Sequence, residues 1–448
     1  MAKLTLNLGQ RWASHAVGNV FAGESGRATR SRDFLLQQSQ LLVKQLGALK
    51  GSVMKVGQQL SIYGEHFLPP EVNAVLKTLQ SQAEPLPWAA VEAVLRREWP
   101  AQAFDELELD QTPLAAASLG QVHRARRRSD GLELAVKVQY PGVDTSVVSD
   151  LKLLRRTLQI SRLLPTGERY DALMAEVEAM LLREVDYRLE LATTERFVDL
   201  LGDDPRFIIP RPQRAYSTAR VLTTTYEPGA ELDSAVVAAL PQANRNALGY
   251  AFLELYMREI WRYGLVQTDP HLGNYRVRLG EDGAPPRLVL MDFGATRALT
   301  APFQAAYRQM VHGALMRDAD EVLTGARNSG FVRADDSDDI VGLFYTLSLL
   351  VTEPFASDDD TDVPAELRHP DGSYDWGASD LPRRAARVAI QAVRVLGLRP
   401  PPAEAIFVDR KLAGVFVVLS VLGARLRARD MVLSYLASPR GFEPLSPP

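Results

Sequence analysis

From Asp33 to about Ile62, apolar residues recur at helical spacing (Leu35, Leu42, Leu46, Leu49, Val53, Val56, Leu60), which predicts one long amphipathic helix or a pair. Pro69 and Pro70 stop that pattern. Shorter helices are expected over 71–81 and 88–98, the second opened by Pro87 and closed by Pro100. The character then changes. Segments 114–126 and 132–140 are rich in Ala, Val and Leu and flank Ser129-Asp130-Gly131, a turn signal that predicts a β-hairpin. Helical patterns follow at 144–163 and 168–200, and strands are expected at Phe207-Ile208-Ile209 and from Arg220 to Tyr226, completing a small mixed lobe before Pro228-Gly229. Beyond it, 241–264 and most of 301–428 are helical, interrupted by the strand Leu288-Val289-Leu290 and by an acidic, Pro-punctuated loop at 353–380. No internal repeat is evident.

Bulk properties narrow the choices of function. A chain of 448 residues with 46% hydrophobic content is long enough for two lobes. The formal net charge of -4 gives no overall attraction to nucleic acid, which disfavours that partner. With no cysteine, disulfides, thiol nucleophiles, thiolate zinc sites and cysteine-ligated iron–sulfur clusters are excluded together. The longest apolar stretch, Leu412 to Ala424, is shorter than the roughly 20 residues that span a bilayer and reads as a core helix. The first 30 residues are rich in Arg, Ser and Ala and lack an apolar signal-peptide core. Three readings stay open for them: a frayed leader, an amphipathic docking segment using Leu4, Leu8 and Trp12, or a targeting segment.

The candidate chemistry lies mainly in the second half. Gln267-Thr268-Asp269-Pro270-His271-Leu272-Gly273-Asn274 precedes Met291-Asp292-Phe293-Gly294. Phosphoryl transfer needs little covalent help but demands positioned metal ions, so a kinase loop places an Asp beside the acceptor hydroxyl and an Asn five residues later on Mg²⁺. Asp269 and Asn274 have that interval, and Asp292 has the place of the second metal ligand, in a Phe-Gly turn after a strand. The bland alternative makes Asp269 a turn cap with Pro270 and Asp292 a strand-end turn residue. Order and spacing favour the chemical reading.

A kinase also needs a strand lysine for the nucleotide phosphates, paired with a helix glutamate. Lys137 in Leu134-Ala135-Val136-Lys137-Val138 fits, and the candidate glutamates lie between Leu182 and Glu190. A pair with Glu190 would bridge a 53-residue separation, which requires the helix at 144–163 to be an insertion. The usual Gly-rich phosphate loop is missing. Its place is taken by Leu114-Ala115-Ala116-Ala117-Ser118-Leu119-Gly120-Gln121-Val122, where alanines restrict the backbone and add methyl groups near a nucleotide.

These residues together resemble the UbiB/AarF atypical kinase-like family, associated with ubiquinone (coenzyme Q) biosynthesis. The hallmarks are Lys55-Val56-Gly57-Gln58, the alanine-rich loop at 115–118, Glu184-Val185-Asp186, Gln267 to Asn274 and Asp292-Phe293-Gly294. Val138 to Val143 and the pair Arg410-Lys411 are similar to the branch that holds the mitochondrial coenzyme-Q proteins. The resemblance implies an α+β, protein-kinase-like bilobal fold with a helical N-terminal extension and a larger helical C-terminal lobe. The expected division is a leader at 1–32, the helical extension at 33–110, the N-lobe with its inserted helix at 111–230 and the C-lobe at 231–448. It further implies that Lys137 pairs with Glu190, that Asp269 is the catalytic-loop aspartate, and that Asn274 and Asp292 bind Mg²⁺. Ala115, Ala116, Ala117 and Ser118 would lie at ATP with Lys137. Glu184 and Asp186 would face Lys55, Gly57 and Gln58 in a regulatory extension packed over the position of a peptide substrate. The departure is that no Arg precedes Asp269.

The expected function is therefore an ATP- and Mg²⁺-dependent ATPase or small-molecule kinase supporting ubiquinone biosynthesis, with a lipid or phenolic quinone precursor and pathway proteins as partners. A conventional trans-acting protein kinase and a nucleotide-gated, non-catalytic lipid-binding scaffold are the alternatives. The abundance of arginine over lysine points to a GC-rich bacterial source and a cytoplasmic protein, and the lack of the C-terminal transmembrane segments found in some bacterial family members leaves any attachment to the inner membrane peripheral.

Overall fold

A computed structural model describes residues 85–116, 119–143, 149, 151–152, 175, 178–179, 181–280, 283–396 and 402–437. The helices expected at 33–62 and 71–81, and with them Lys55, Gly57 and Gln58, lie outside the described residues, as do Ala117 and Ser118. The chain divides into two compact units. One runs to Leu191 and resumes at Pro212–Tyr226; the other takes Ala192–Arg211 and then continues from Glu227.

In the first unit, helix α1 (Trp88–Glu98) starts after Pro87, whose φ of -56° is already set for entry, and ends before Pro100. Its Val91, Val94 and Leu95 lie at spacings of three and four and are buried. The short helix α2 (Ala101–Glu106) leads into a four-stranded antiparallel sheet. Its strands are β1 (Leu107–Ala116), β2 (Gly120–Arg127) and β3 (Glu133–Gln139), joined at the far edge by a later strand. The apolar run expected at 114–126 is thus two strands, because β1 ends at Ala116 and Gly120 starts β2, where a Cβ would stand 2.3 Å from Val138 O. The β2–β3 turn is the one its residues specify: Gly131 has φ +73°, and Asp130 Oδ1 accepts from Leu132 N at 3.1 Å. Leu134, Val136 and Val138 point from β3 into a core shared with Val91, Leu95 and Trp99, which leaves Lys137 on the opposite face.

Helix α3 (Tyr187–Leu201) leaves this unit, β4 (Phe207–Ile208) belongs to the other, and the chain returns for β5 (Val221–Thr225), which pairs with β3. This corrects the expected 111–230 lobe. Phe207-Ile208 does not complete the small sheet; it runs parallel to Leu288-Val289 in the second unit. A two-residue apolar strand carries no alternation that could reveal its partner.

In the second unit, β6 (Ala230–Glu231) is followed by helix α4 (Gln242–Arg258) and a π-helical turn at Glu259–Tyr263 that ends on Gly264 in the left-handed region. Then come β7 (Leu265–Gln267), β8 (Tyr275–Arg278), β9 (Arg287–Leu290) and β10 (Thr296–Ala298), in a sheet of order β4-β9-β8-β6 and a separate β10-β7 pair. The helices are α5 (Ala301–Met316), α6 (Ala319–Asn328), α7 (Asp338–Thr352), α8 (Leu381–Leu396), α9 (Ala403–Leu422) and α10 (Arg429–Ala437). The short strands β11 (Tyr374–Asp375) and β12 (Arg425–Leu426) pair with each other. The Leu412–Ala424 stretch is indeed a core helix: Val415, Phe416, Val418, Leu419 and Leu422 of α9 are buried with Phe252 and Leu255 of α4 in one cluster. No helix among the described residues is long and apolar enough to cross a membrane.

The acidic loop at 353–380 is held in place by arginines. Arg384 grips the buried Glu353 at 2.5 and 2.7 Å, Arg317 meets Asp360 and, at 2.8 Å, Asp362, and Arg425 meets Asp375 at 3.0 Å. A second network joins Arg206 and Arg258 to Asp204 and Glu254. The Arg206 hydrogen bond holds the Asp204 carboxyl well below the carboxylate range. Burial pushes Glu254, Asp360 and Asp375 upward, but their hydrogen-bond and charge partners, led by Arg206, Arg317 and His369 respectively, together outweigh it and bring each below its usual value. Depressed carboxyls contribute stability above their unfolded pKa and lose it as pH falls through the folded value. The melting temperature should accordingly fall as pH is lowered from about 5 to about 3, and the slope should be shallower in Arg206→Met. A Tm independent of pH over that range would refute the assignment.

Candidate active site

The first unit supplies a lysine and its counter-ion. β3 is an interior strand, between β2 and β5, so Lys137 rises from a rigid position rather than from an edge. Its Nζ donates to both Glu190 oxygens, at 2.8 and 2.9 Å, and lies 5.0 Å from the Tyr187 ring centroid. Glu190 sits in the first turn of α3, where a carboxylate also interacts favourably with the helix dipole. That helix start is fixed by Tyr187 N, which donates to Ala219 O at 3.0 Å. Of the glutamates in the Leu182–Glu190 segment, it is Glu190 that meets Lys137.

The neighbouring expected residues are placed differently. Ala115 and Ala116 are exposed at the end of β1, opposite Val122 and Gln121. Glu184 is half-buried, and Asp186 accepts from the Arg188 side chain at 2.9 and 2.8 Å, which holds its carboxyl below the ordinary value. The facing of Glu184 and Asp186 toward Lys55, Gly57 and Gln58 falls outside the described residues.

The second unit brings Asp269, Asn274 and Asp292 together through its strand ladders. Gln267 pairs with Thr296 in β7–β10, and Tyr275 pairs with Leu290 in β8–β9. The loops 268–274 and 291–295 are therefore pinned to one another at both ends. Thr268 N donates to Ala295 O at 2.9 Å, and Met291 N donates to Asn274 O at 3.0 Å. His271 caps the turn at Leu272–Asn274, its Nδ1 accepting from Gly273 N at 3.0 Å. Asn274 Nδ2 donates to Asp269 O at 2.9 Å and lies 3.4 Å from Asp269 Oδ2. Asp292 Oδ1 accepts from Gly294 N at 2.9 Å, and the next residue, Phe293, stacks on Phe197 of α3 with centroids 4.4 Å apart.

Beneath these loops lies a buried polar layer. Gln267 Nε2 donates to Asp269 O at 2.8 Å and to Asp292 O at 3.3 Å, tying both carboxylate-bearing segments to one amide. Its oxygen accepts from Tyr275 OH at 3.3 Å and from Lys411 Nζ at 3.4 Å. Lys411 and Glu259 are each 1% exposed and their charges stand 3.0 Å apart, although Glu259 Oε2 is not aligned as a hydrogen-bond acceptor. Burial raises the Glu259 carboxyl and Lys411 opposes the rise. One residue earlier on α9, Arg410 Nη2 donates to Asp269 Oδ1 at 2.7 Å.

Sequence reasoning marked Arg410-Lys411 without finding these partners. The available signal was a charge set against apolar sequence: Lys411 opens an otherwise apolar helix stretch, and Glu259 is followed directly by Ile260-Trp261.

A strand lysine paired with a helix glutamate, an aspartate five residues before an asparagine, and an aspartate in a strand-end Phe-Gly turn define a protein-kinase-like domain. Residues 78–325, more than half of the chain, match the ABC1 atypical kinase-like domain. The chain is 32% identical over 430 residues to the "Atypical kinase COQ8B, mitochondrial" of Rattus norvegicus, covering 96% of this chain and 78% of that protein. It is 32% identical over 396 residues to the "Atypical kinase COQ8, mitochondrial" of Schizosaccharomyces pombe, covering 88% and 61%. The complex of Rv3197 with erythromycin from Mycobacterium tuberculosis shares the fold, with a TM-score of 0.60 at 24% identity over 92% of this chain and all of that one. The chain thus belongs to the ABC1 atypical kinase-like family, the UbiB/AarF proteins whose motifs it carries.

The buried layer is testable by stability. Lys411→Met leaves Glu259 buried and unpaired and should cost about 3–5 kcal/mol in urea unfolding, whereas Lys411→Met with Glu259→Leu should recover most of it. A carboxyl whose pKa is raised on folding loses stability as pH rises through that value, so the Lys411→Met penalty should be larger at pH 8 than at pH 5. Equal penalties in the single and double variants would exclude the pair as the cause.

Proposed function

We propose that this protein binds ATP with Mg²⁺ and uses it, by hydrolysis or by transfer to a small molecule, in support of ubiquinone biosynthesis. The observation that carries this reading is the shared anchoring of Asp269, Asn274 and Asp292 in one pair of cross-linked loops, together with a Lys137–Glu190 pair of the kind that holds nucleotide phosphates. The donor set fits Mg²⁺. Asp292 and the Asn274 side-chain oxygen are hard ligands, and the Asn274 nitrogen is already committed to Asp269 O. Mg²⁺ commonly binds through one or two such groups plus phosphates and water, and when bound it neutralises charge on the β- and γ-phosphates.

Each of the chain's own groups has a task in this reading. Lys137, fixed by Glu190, directs its charge at phosphate oxygens, and Asn274 and Asp292 hold the metal. Asp269 orients the attacking hydroxyl or water. Ala115 and Ala116, in place of glycines, stiffen the loop at the phosphate side; with Ala117 and Ser118 they are proposed to disfavour ordinary protein phosphorylation. A regulatory role is proposed for the Lys55, Gly57, Gln58, Glu184 and Asp186 group.

Support for the pathway comes from family membership and from the named COQ8 relatives, which are mitochondrial. A lipid or phenolic quinone precursor is the proposed acceptor or cargo, and pathway proteins are the proposed partners. Attachment at the quinone-bearing inner membrane is proposed to be peripheral.

Purified protein should hydrolyse Mg-ATP, faster with anionic liposomes or phenolic quinone precursors. Asp292→Asn should lower kcat by about a hundredfold or more, the scale expected when a preorganised electrostatic contact is removed. In a deletion strain, wild type should restore quinone and Asp292→Asn should not. Restoration by both would rule out the catalytic reading, and restoration by neither would rule out the pathway.

A further inference from the structure

Asp269 has two claims on it. As the proposed catalytic-loop aspartate it must face a hydroxyl or water, yet its carboxylate also stands beside a metal ligand: Asn274 Nδ2 is 3.4 Å from Asp269 Oδ2, and Gln267 ties the Asp269 and Asp292 carbonyls to one amide. If Asp269 joined Asp292 and the Asn274 amide oxygen as a ligand, a divalent cation could bind without any nucleotide, since affinity for hard cations grows with ligand charge. A resident cation would make the site charged before substrate arrives.

α9 brings a different cation to that position. Arg410 Nη2 donates to Asp269 Oδ1 at 2.7 Å, and the pair is largely shielded, with side chains 20% and 23% exposed. Arg410 is not a long surface side chain that happens to reach the loop. Gly414, one turn further along the same face, approaches Pro270 so closely that a Cβ would lie 2.0 Å from Pro270 Cβ. Lys411, next to Arg410, is fixed in the buried layer by Glu259 and Gln267. The helix is thus set against the loop at Asp269 and Pro270 and anchored beneath it at Lys411, and the guanidinium has a defined place. A fixed monovalent group on Asp269 leaves Asp269, Asp292 and Arg410 together with one net negative charge instead of two.

We propose that Arg410 is the positioning residue of Asp269, and that by occupying its carboxylate it withholds Asp269 from the metal set, so that divalent metal binds together with nucleotide rather than ahead of it. The inference rests on the reading of Asn274 and Asp292 as metal ligands. It assigns a task to α9 that the strand-and-loop chemistry does not require: keeping the catalytic carboxylate oriented for the nucleophile while the metal charge is supplied with the phosphates.

The test uses the full chain and Mn²⁺ as the probe, with free Mn²⁺ followed by electron paramagnetic resonance, with and without ATP. Without nucleotide, wild type should bind Mn²⁺ weakly. Arg410→Ala should bind it at least about tenfold more tightly, as expected for an added carboxylate ligand. Arg410→Ala with Asp269→Asn should return to the wild-type value, and Arg410→Lys, which keeps the charge, should stay near it. Asp269→Asn alone should leave nucleotide-free Mn²⁺ binding unchanged, and this arm decides the question even if Arg410→Ala does not fold. The proposal is overturned if Arg410→Ala binds Mn²⁺ no more tightly than wild type, or if Asp269→Asn alone weakens nucleotide-free binding. Asp292→Asn separates the two levels. If it diminishes ATP-dependent Mn²⁺ uptake while Arg410→Ala has no effect, only the role of Arg410 falls; if it leaves that uptake unchanged, the metal reading itself falls and takes this inference with it.

Discussion

Nearly everything in the second unit that bears on chemistry depends on one buried amide. Gln267 donates to the backbone of Asp269 and of Asp292, and accepts from Tyr275 and Lys411. Two loops are thereby held by a single side chain, which reaches the farther one across 25 residues of sequence. An amide suits the place because it offers donors on one side and an acceptor on the other without adding charge. The charge is kept one layer lower, where Lys411 and Glu259 neutralise each other away from water. A buried pair of this kind adds little net stability compared with apolar residues, but it penalises any arrangement that separates its members. It therefore acts on the register of α9 against the 268–274 loop more than on the stability of the fold.

The local elements were largely legible in the sequence because they are written in short-range chemistry. Pro87 and Pro100 bound α1, Asp130-Gly131 specifies the β2–β3 turn, and Leu134, Val136 and Val138 alternate with Lys137 on a strand. The Lys137–Glu190 contact, which spans 53 residues, was foreseen through the family resemblance, since the order of strand lysine and helix acid alone left Glu184 open beside Glu190. What failed was the allocation of short apolar pieces. Phe207-Ile208 is equally good as an edge of the small sheet or as a parallel strand beside Leu288-Val289, and only the completed fold decides. The break between β1 and β2 was missed because alanine and leucine continue the apolar texture across it.

The candidate site was legible in its proposed metal-binding residues and opaque in their supports. Asp269, Asn274 and Asp292 could be found from spacing because their chemistry demands fixed intervals. Arg410 meets Asp269 across 141 residues, and no periodicity connects them. The clue to such a contact is an imbalance: a cation in a helix with no polar face to receive it implies an anion elsewhere in the core. That clue predicts that a partner exists without saying which one.

The π-helical turn at Glu259–Tyr263 gives this arrangement a particular sensitivity to chain length. Such a turn holds one residue more than the α-helical path it interrupts, and each residue advances a helix by roughly 100°. Glu259 faces Lys411 in that widened phase. Removing a single residue from the turn would let α4 continue as an ordinary helix and rotate the downstream chain by about that angle, so Gln267 would emerge from β7 out of phase with both loops. A deletion there would be read as a frameshift in space, with the backbone still helical and Asp269, Asn274 and Asp292 misaddressed.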